Sequence, residues 1–215
     1  MTYDRRGYLR SPRPAGWEAT SVEEQAADAA GLLEALGIEP AVVYGTSNGA
    51  LFALELALSR PDLVAGVILH EPPLISVLAD PAPVGAAIAE LVEPAFAAGG
   101  PDAALEAFLR FAYGDAIIDA LDPRERARML ANGEVAMTIE LPATQAYRPS
   151  IDRFAVPAEV LVGAEQVVAF FREAGAWLGN ALGTPLSSSP GGHGPQFDRP
   201  EALATEIDRL VAGLD

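Results

Sequence analysis

Ala41-Val42-Val43-Tyr44-Gly45-Thr46-Ser47-Asn48-Gly49-Ala50-Leu51-Phe52-Ala53-Leu54-Glu55-Leu56 is the stretch whose reading decides the fold. A short β-branched run from Ala41 to Tyr44 gives way to Gly45-Thr46-Ser47-Asn48-Gly49 and then to an Ala/Leu-rich run that reads as helix. Strand, sharp turn and helix with G-x-S-x-G at the turn is the pattern that displays a serine hydroxyl as a nucleophile. The serine takes a strained backbone conformation there. A Cβ at either flanking glycine is expected to crowd the neighbouring strand and helix. A helix starting at Asn48 directs free N–H groups and partial positive charge at any oxyanion formed over Ser47.

Upstream of this turn, the pattern predicts a helix over Val22–Leu36. Ser21 and Glu24 form a capping box, Gly37 supplies a left-handed stop, and Ala26, Ala29, Leu33 and Leu36 line one face. Ile38-Glu39-Pro40 then leads into the strand. Nearer the start, Met1 to Asp4 read as the end of a strand, followed by an arginine-rich loop, Tyr3-Asp4-Arg5-Arg6-Gly7-Tyr8-Leu9-Arg10-Ser11-Pro12. Downstream, the serine-led helix is expected to reach Ser59 and stop before Pro61. Leu63-Val64-Ala65-Gly66-Val67-Ile68-Leu69 is almost wholly apolar, as in a strand buried on both faces, and is followed by His70-Glu71-Pro72-Pro73.

From Leu74 to Phe154 the pattern changes to short helices broken by Pro81, Pro83, Pro94, Pro101 and Pro123. Strand character returns at Ala158–Gly163. A helix over 167–182, a short run at 185–189, the loop Pro190-Gly191-Gly192-His193-Gly194-Pro195 and a helix from Pro200 to Leu214 complete the chain. Buried strands alternating with helices predict an α/β fold with a mostly parallel central sheet flanked by helices. Residues 1–73 and 155–215 form its core. Residues 74–154 are a helical cap insert above the C-terminal edge of the sheet, where such folds place their sites.

Composition narrows the function. A chain of 215 residues suits one domain with an insert. The formal charge of -16, with arginine the only strong base, argues against nucleic-acid or anionic-membrane partners and leaves a small molecule as the expected one. Glu55 and Glu90 interrupt the two best apolar runs, and Met1-Thr2-Tyr3-Asp4-Arg5-Arg6 lacks a secretory core, so the expected location is cytoplasmic. With zero cysteines there is neither a disulfide framework nor a thiolate metal site. Nothing in the sequence specifies an oligomeric state.

Taken together, these segments resemble the α/β-hydrolase superfamily, in particular its capped, esterase-like members. Tyr3-Asp4-Arg5-Arg6-Gly7 is similar to that family's Y-D-x-R-G segment after its fourth strand, and Gly45 to Gly49 to its nucleophile elbow. His193, ahead of a Pro-led helix, is similar to its catalytic histidine. The resemblance implies a serine hydrolase that needs no cofactor or metal. Ser47 would be the nucleophile, His193 the general base and the Asn48 N–H an oxyanion donor. His70 precedes any acid candidate, out of the family's order, and reads as structural. The family's usual acid position is held by Gln166. Some members place the acid after the sixth strand, where Glu71 stands, so Glu71 is the expected acid with Glu165 as the alternative.

The family also carries a third strand and an H-G loop with a second oxyanion donor, both before Y-D-x-R-G. This chain begins inside what resembles the fourth strand. The expectation is therefore an N-terminally truncated form with reduced activity, or a non-catalytic binding protein or remnant.

Overall fold

The computed structural model describes residues 1–38 and 40–214. Glu39, read as part of the lead into the first strand, lies outside the described residues. The first helix, α1 (Val22–Leu36), starts at Ser21, whose Oγ accepts the Glu24 N–H at 3.1 Å, and ends at Gly37 in the left-handed conformation (φ 64°). Only half of the expected capping box forms. The Glu24 carboxylate instead accepts from Trp17 Nε1 (2.9 Å) and Thr20 Oγ1 (2.7 Å), pinning the N-terminal loop to the helix.

Four strands are described: β1 (Ala41–Thr46), β2 (Val64–His70), β3 (Ala158–Gly163) and β4 (Leu186–Ser189). They form one parallel sheet in the order β1-β2-β3-β4. The register sets Thr46 opposite His70, His70 opposite Leu161, and Gly163 opposite Ser189. The strands therefore finish along one line, and whatever follows each of them gathers on a single edge. That alignment is what positions the site.

The crossover helices α2 (Asn48–Ser59) and α7 (Ala169–Leu182) cover one face. Leu51, Leu54 and Leu56 of α2 and Ala174 and Leu178 of α7 pack there with Val67, Leu69 and Val160. On the other face Ile68 and Leu161 meet Leu210 of the last helix, α9 (Pro200–Val211), which follows the one-turn α8 (Pro195–Asp198). Burial on both faces explains the unbroken apolar run of β2. At one margin of the sheet, β1 pairs with β2 alone among the described residues, and Val42, Val43 and Tyr44 are only half-buried. Residues 1–4, expected to end a strand, have no ladder partner and are irregular.

Between β2 and β3 the regular elements are helical. α3 (Ala82–Tyr113) is followed by α4 (Asp115–Ala120), α5 (Pro123–Leu130), a π-helical segment (Val135–Glu140) and α6 (Leu141–Ala146). The expected breaks at Pro83 and Pro94 do not occur. Pro83 sits in the first turn of α3, where its missing N–H removes no bond. α3 is interrupted at Gly99–Gly100, where Gly100 turns to φ 72° and Pro101 restarts the helix. The final helix α9 ends at Val211, short of the expected Leu214. No described helix is long and apolar enough to cross a membrane.

Candidate active site

Ser47 stands between β1 and α2 with φ 53° and ψ -130°, a conformation few side-chain-bearing residues adopt. Its N–H donates to the His70 carbonyl at 3.0 Å, which ties the bend to the end of β2. The two flanking glycines are not equivalent. A Cβ on Gly45 would lie 2.3 Å from the Gly49 carbonyl oxygen and 2.8 Å from the Ala50 Cα, so only glycine fits. A Cβ on Gly49 meets nothing within 4 Å. The expectation that both positions are crowded is corrected: the strand-side glycine carries the close approach, while the helix-side one faces open space. Asn48 is the first residue of α2, so its N–H is one of the donors a helix leaves free at its start.

Glu71 follows β2 directly. It takes φ 47°, which reverses the chain and folds its side chain beneath the sheet edge. The residue is fully buried. Its Oε1 accepts the Gly163 N–H at 2.7 Å, and its Oε2 accepts Gln166 Nε2 at 2.6 Å. Oε2 also lies 2.5 Å from His193 Nδ1. Burial pushes the Glu71 carboxyl up, but the His193 hydrogen bond and charge, with the Gly163 N–H, outweigh it and hold the group below the ordinary carboxylate range. Gly163 is a second place where only glycine fits, because a Cβ there would lie 2.6 Å from the Gly191 carbonyl oxygen.

His193 hangs from the Pro190–Pro195 loop after β4, with 1% of its side chain exposed. Its ring lies between Phe171 (centroids 4.3 Å apart) and Tyr113 (5.2 Å). With Nδ1 on Glu71, Nε2 is on the opposite side of the ring. Ser47, Asn48 and His193 line one cavity beneath α3 and α6. Three side chains from three strand ends, 146 residues apart between Ser47 and His193, thus meet on one edge.

The other candidates separate clearly. Glu165, the alternative acid, is exposed and paired with Arg199 at 2.7 Å, so the structure does not bring it to His193. Gln166, at the family's usual acid position, neither touches nor replaces the acid's partner; it grips Glu71 and fixes its own loop by accepting the Val168 N–H at 2.7 Å. His70 is buried, with Nδ1 2.9 Å from Thr46 Oγ1, and burial lowers its pKa to about 4, so it is neutral at pH 7.

Glu140 was not anticipated. This buried carboxylate on the π-helical segment accepts two bonds from Arg5 (2.5 and 3.1 Å), one from Tyr8 (2.8 Å) and one from Asn48 Nδ2 (2.9 Å). No spacing in the sequence links positions 5, 48 and 140. Only the arginine-rich loop after residue 4 marked one end of this network. Among the described residues no cluster of three or more His, Cys, Asp or Glu side chains is arranged to hold a metal.

Comparison with known proteins agrees with this fold. A family model described as the alpha/beta hydrolase fold matches residues 1–113. An uncharacterized hydrolase of Bacillus subtilis, YraK, is 41% identical over 78 residues, which are 36% of this chain and 29% of that protein. Lipase LipV of Mycobacterium tuberculosis is 29% identical over 218 residues, 95% of this chain and 78% of the lipase. The chain thus spans less than a third of the first relative's length and over three quarters of the second's. A thermophilic esterase from Thermogutta terrifontis superposes with a TM-score of 0.72 at 22% identity, covering 98% of this chain and 78% of the esterase, a likeness of fold. The matched residues 1–113 are more than half of the 215, and the parallel sheet flanked by helices agrees with that fold: the chain belongs to the α/β-hydrolase fold family.

Proposed function

We propose that the chain is a serine hydrolase acting on a small ester or related acyl compound. The observation that carries this reading is the buried Glu71–His193 pair, whose histidine lines the same cavity as Ser47. His193 Nε2 takes the Ser47 hydroxyl proton as Oγ attacks the acyl carbon. Glu71 holds the tautomer with Nδ1 protonated and stabilises the imidazolium that forms. The Asn48 N–H donates to the oxyanion of the tetrahedral intermediate. The intermediate collapses, the proton passes from Nε2 to the departing alcohol oxygen, and an acyl-enzyme remains on Ser47. Water, deprotonated by the same imidazole, then releases the acid and restores Ser47.

Residues 74–154 act as the cap that walls the site from solvent, and the lipase likeness supports ester chemistry. An alkyl fluorophosphonate, which phosphonylates only activated serines, tests the reading. Wild-type protein is expected to label, and Ser47→Ala and His193→Ala are expected not to. A folded wild-type sample that stays unlabelled would instead mark a non-catalytic binding protein.

A further inference from the structure

Two chambers meet at Ser47. Both are lined by Ser47 and Asn48, and Phe108 and Leu141 stand in both walls as the partition between them. They differ in size by an order of magnitude. The narrow one holds about 20 Å³ and is closed by Ile88, Phe111, Phe170 and Phe171, with His193 in its wall. The wide one holds about 250 Å³ and runs past Leu105, Leu109, Tyr113, Met129 and Met137 toward Arg5 and Tyr8. His193 is not in the wall of the wide chamber among the described residues.

From this we infer that the substrate is an ester with a large uncharged acyl group and a leaving alcohol of one or two carbons. The inference rests on the serine-hydrolase reading and adds a direction to it. His193 must protonate the departing oxygen, so the leaving group lies on the His193 side of Ser47. That side is the narrow chamber. A single water needs roughly 10–15 Å³ of such space, so 20 Å³ admits a methoxy group and, where the wall gives slightly, an ethoxy group. Aromatic rings in a close-packed wall yield only at the expense of packing. The acyl chain then extends the other way, between Phe108 and the methionines of the wide chamber, where flexible thioether side chains adapt to its shape.

The wide chamber has charged residues at its far end but no free charge to offer. Glu140 receives four donors, two from Arg5 and one each from Tyr8 and Asn48, which fills its acceptor sites. Arg5 is further held against the rings of Tyr8 (4.5 Å) and Phe52 (4.7 Å). Asn132 accepts the Leu9 N–H and donates to the Arg128 and Met129 carbonyls. Arg5 spends two of its five N–H donors on Glu140, which balances its charge, so an acyl chain ending in a carboxylate would meet the like charge of Glu140 beside the only cation there among the described residues.

The test is a pair of isomers. Methyl hexanoate and pentyl acetate share one formula and differ only in which side of the ester is long. Acid release by wild-type protein is followed in a pH-stat, beside fluorophosphonate labelling of Ser47. The expected result is a kcat/KM at least tenfold higher for methyl hexanoate than for pentyl acetate, and at least tenfold higher than for monomethyl adipate. In Phe111→Ala the preference over pentyl acetate is expected to shrink at least fivefold as the narrow chamber opens. Equal or reversed rates for the wild-type isomer pair would overturn the inference while leaving the hydrolase reading intact, as would a labelled Ser47 with neither isomer hydrolysed. No labelling and no hydrolysis would overturn the hydrolase reading itself.

Discussion

A carboxylate buried like Glu71 would suffer a desolvation penalty of several kcal/mol if left alone, and its three partners identify the group it is built to serve. Two of them, the Gly163 N–H and Gln166, are neutral donors that fix its position, and the third is His193. A charge placed this way keeps an imidazole in one tautomer. Glu71→Gln preserves the shape and removes the charge, so kcat for an activated ester at pH 7.5 is expected to fall about 10³–10⁴-fold with little loss of stability. A drop below tenfold would mean that Glu71 only packs. His70 offers a separate pH signature. Its folded pKa of about 4 lies below the ordinary 6.5, with burial and the His193 charge lowering it against the opposing charge of Glu71. Below pH 6.5 the unfolded chain therefore gains a proton that the folded chain refuses until about pH 4, and stability falls as pH drops through that window, by about 3 kcal/mol in all. His70→Asn should remove that part of the slope in urea denaturation at pH 4.5 against pH 7; an unchanged slope would place the titration elsewhere. Ser47 is readable from the strand, turn and helix around it, whereas His193 and Glu71 are readable only through the resemblance to the family. Gln166 was readable as a residue but not as a role, because what it grips lies 95 positions away.

The elements that deliver these side chains differ in how much of them the chain announces locally. The bend at Ser47 is announced by Gly45, whose missing Cβ makes room for the Gly49 carbonyl. Gly45→Ala is expected not to fold. Gly49→Ala, with open space at its Cβ and a helical position, is expected to express as folded protein with stability within about 1 kcal/mol of wild type. Thermal melts of the two variants check the asymmetry, and equal damage at both would refute it. α3 shows a mixed case: Pro83 and Pro94 do not break it, while it yields at Gly99–Gly100 directly before Pro101, where glycine backbone freedom and the proline's restriction of the preceding residue act together. The π-helical segment before α6 carried no sequence signal at all. Its widened turn holds Glu140, 3% exposed, facing Arg5 and Asn48, and so joins the middle helices to the N-terminal loop and the elbow. Glu140→Ala strands the Arg5 charge and leaves Tyr8 and Asn48 without their acceptor. A loss of about 3 kcal/mol in urea unfolding is expected, as when one member of a buried ion pair is removed. A change under 1 kcal/mol would show that the loop and the middle helices are joined by packing alone.

At the scale of the whole molecule, the parallel sheet followed from three apolar runs with helices between them, whereas the placement of β1 at the margin did not follow from its composition. β1 is as β-branched as a central strand, yet Val42, Val43 and Tyr44 are only partly buried, because strand order is set by long-range pairing that no local pattern encodes. Charge is the global property that the sequence states outright. Thirty carboxylates face fourteen arginines. Every arginine could be paired and an excess of like charge would still remain on the surface. Many arginines are already in close pairs, such as Arg60 with Glu34 and Asp62, or Arg110 with Glu106, Asp115 and Asp119. Those exposed pairs contribute at most about 1 kcal/mol each and weaken in salt. The repulsion among the unpaired carboxylates weakens as well, over a screening length that falls from about 30 Å at 0.01 M to about 8 Å at 0.15 M. At a net charge of -16 the repulsion involves more charges over longer distances than the pairs do, so its relief prevails. Raising NaCl from 10 to 150 mM at pH 7.5 is expected to stabilise the fold by about 1 kcal/mol, a rise in Tm of roughly 2–4 °C for a chain of this size. A fall in Tm over the same range would mean that the arginine pairs, and not the carboxylate excess, govern the electrostatics of the folded state.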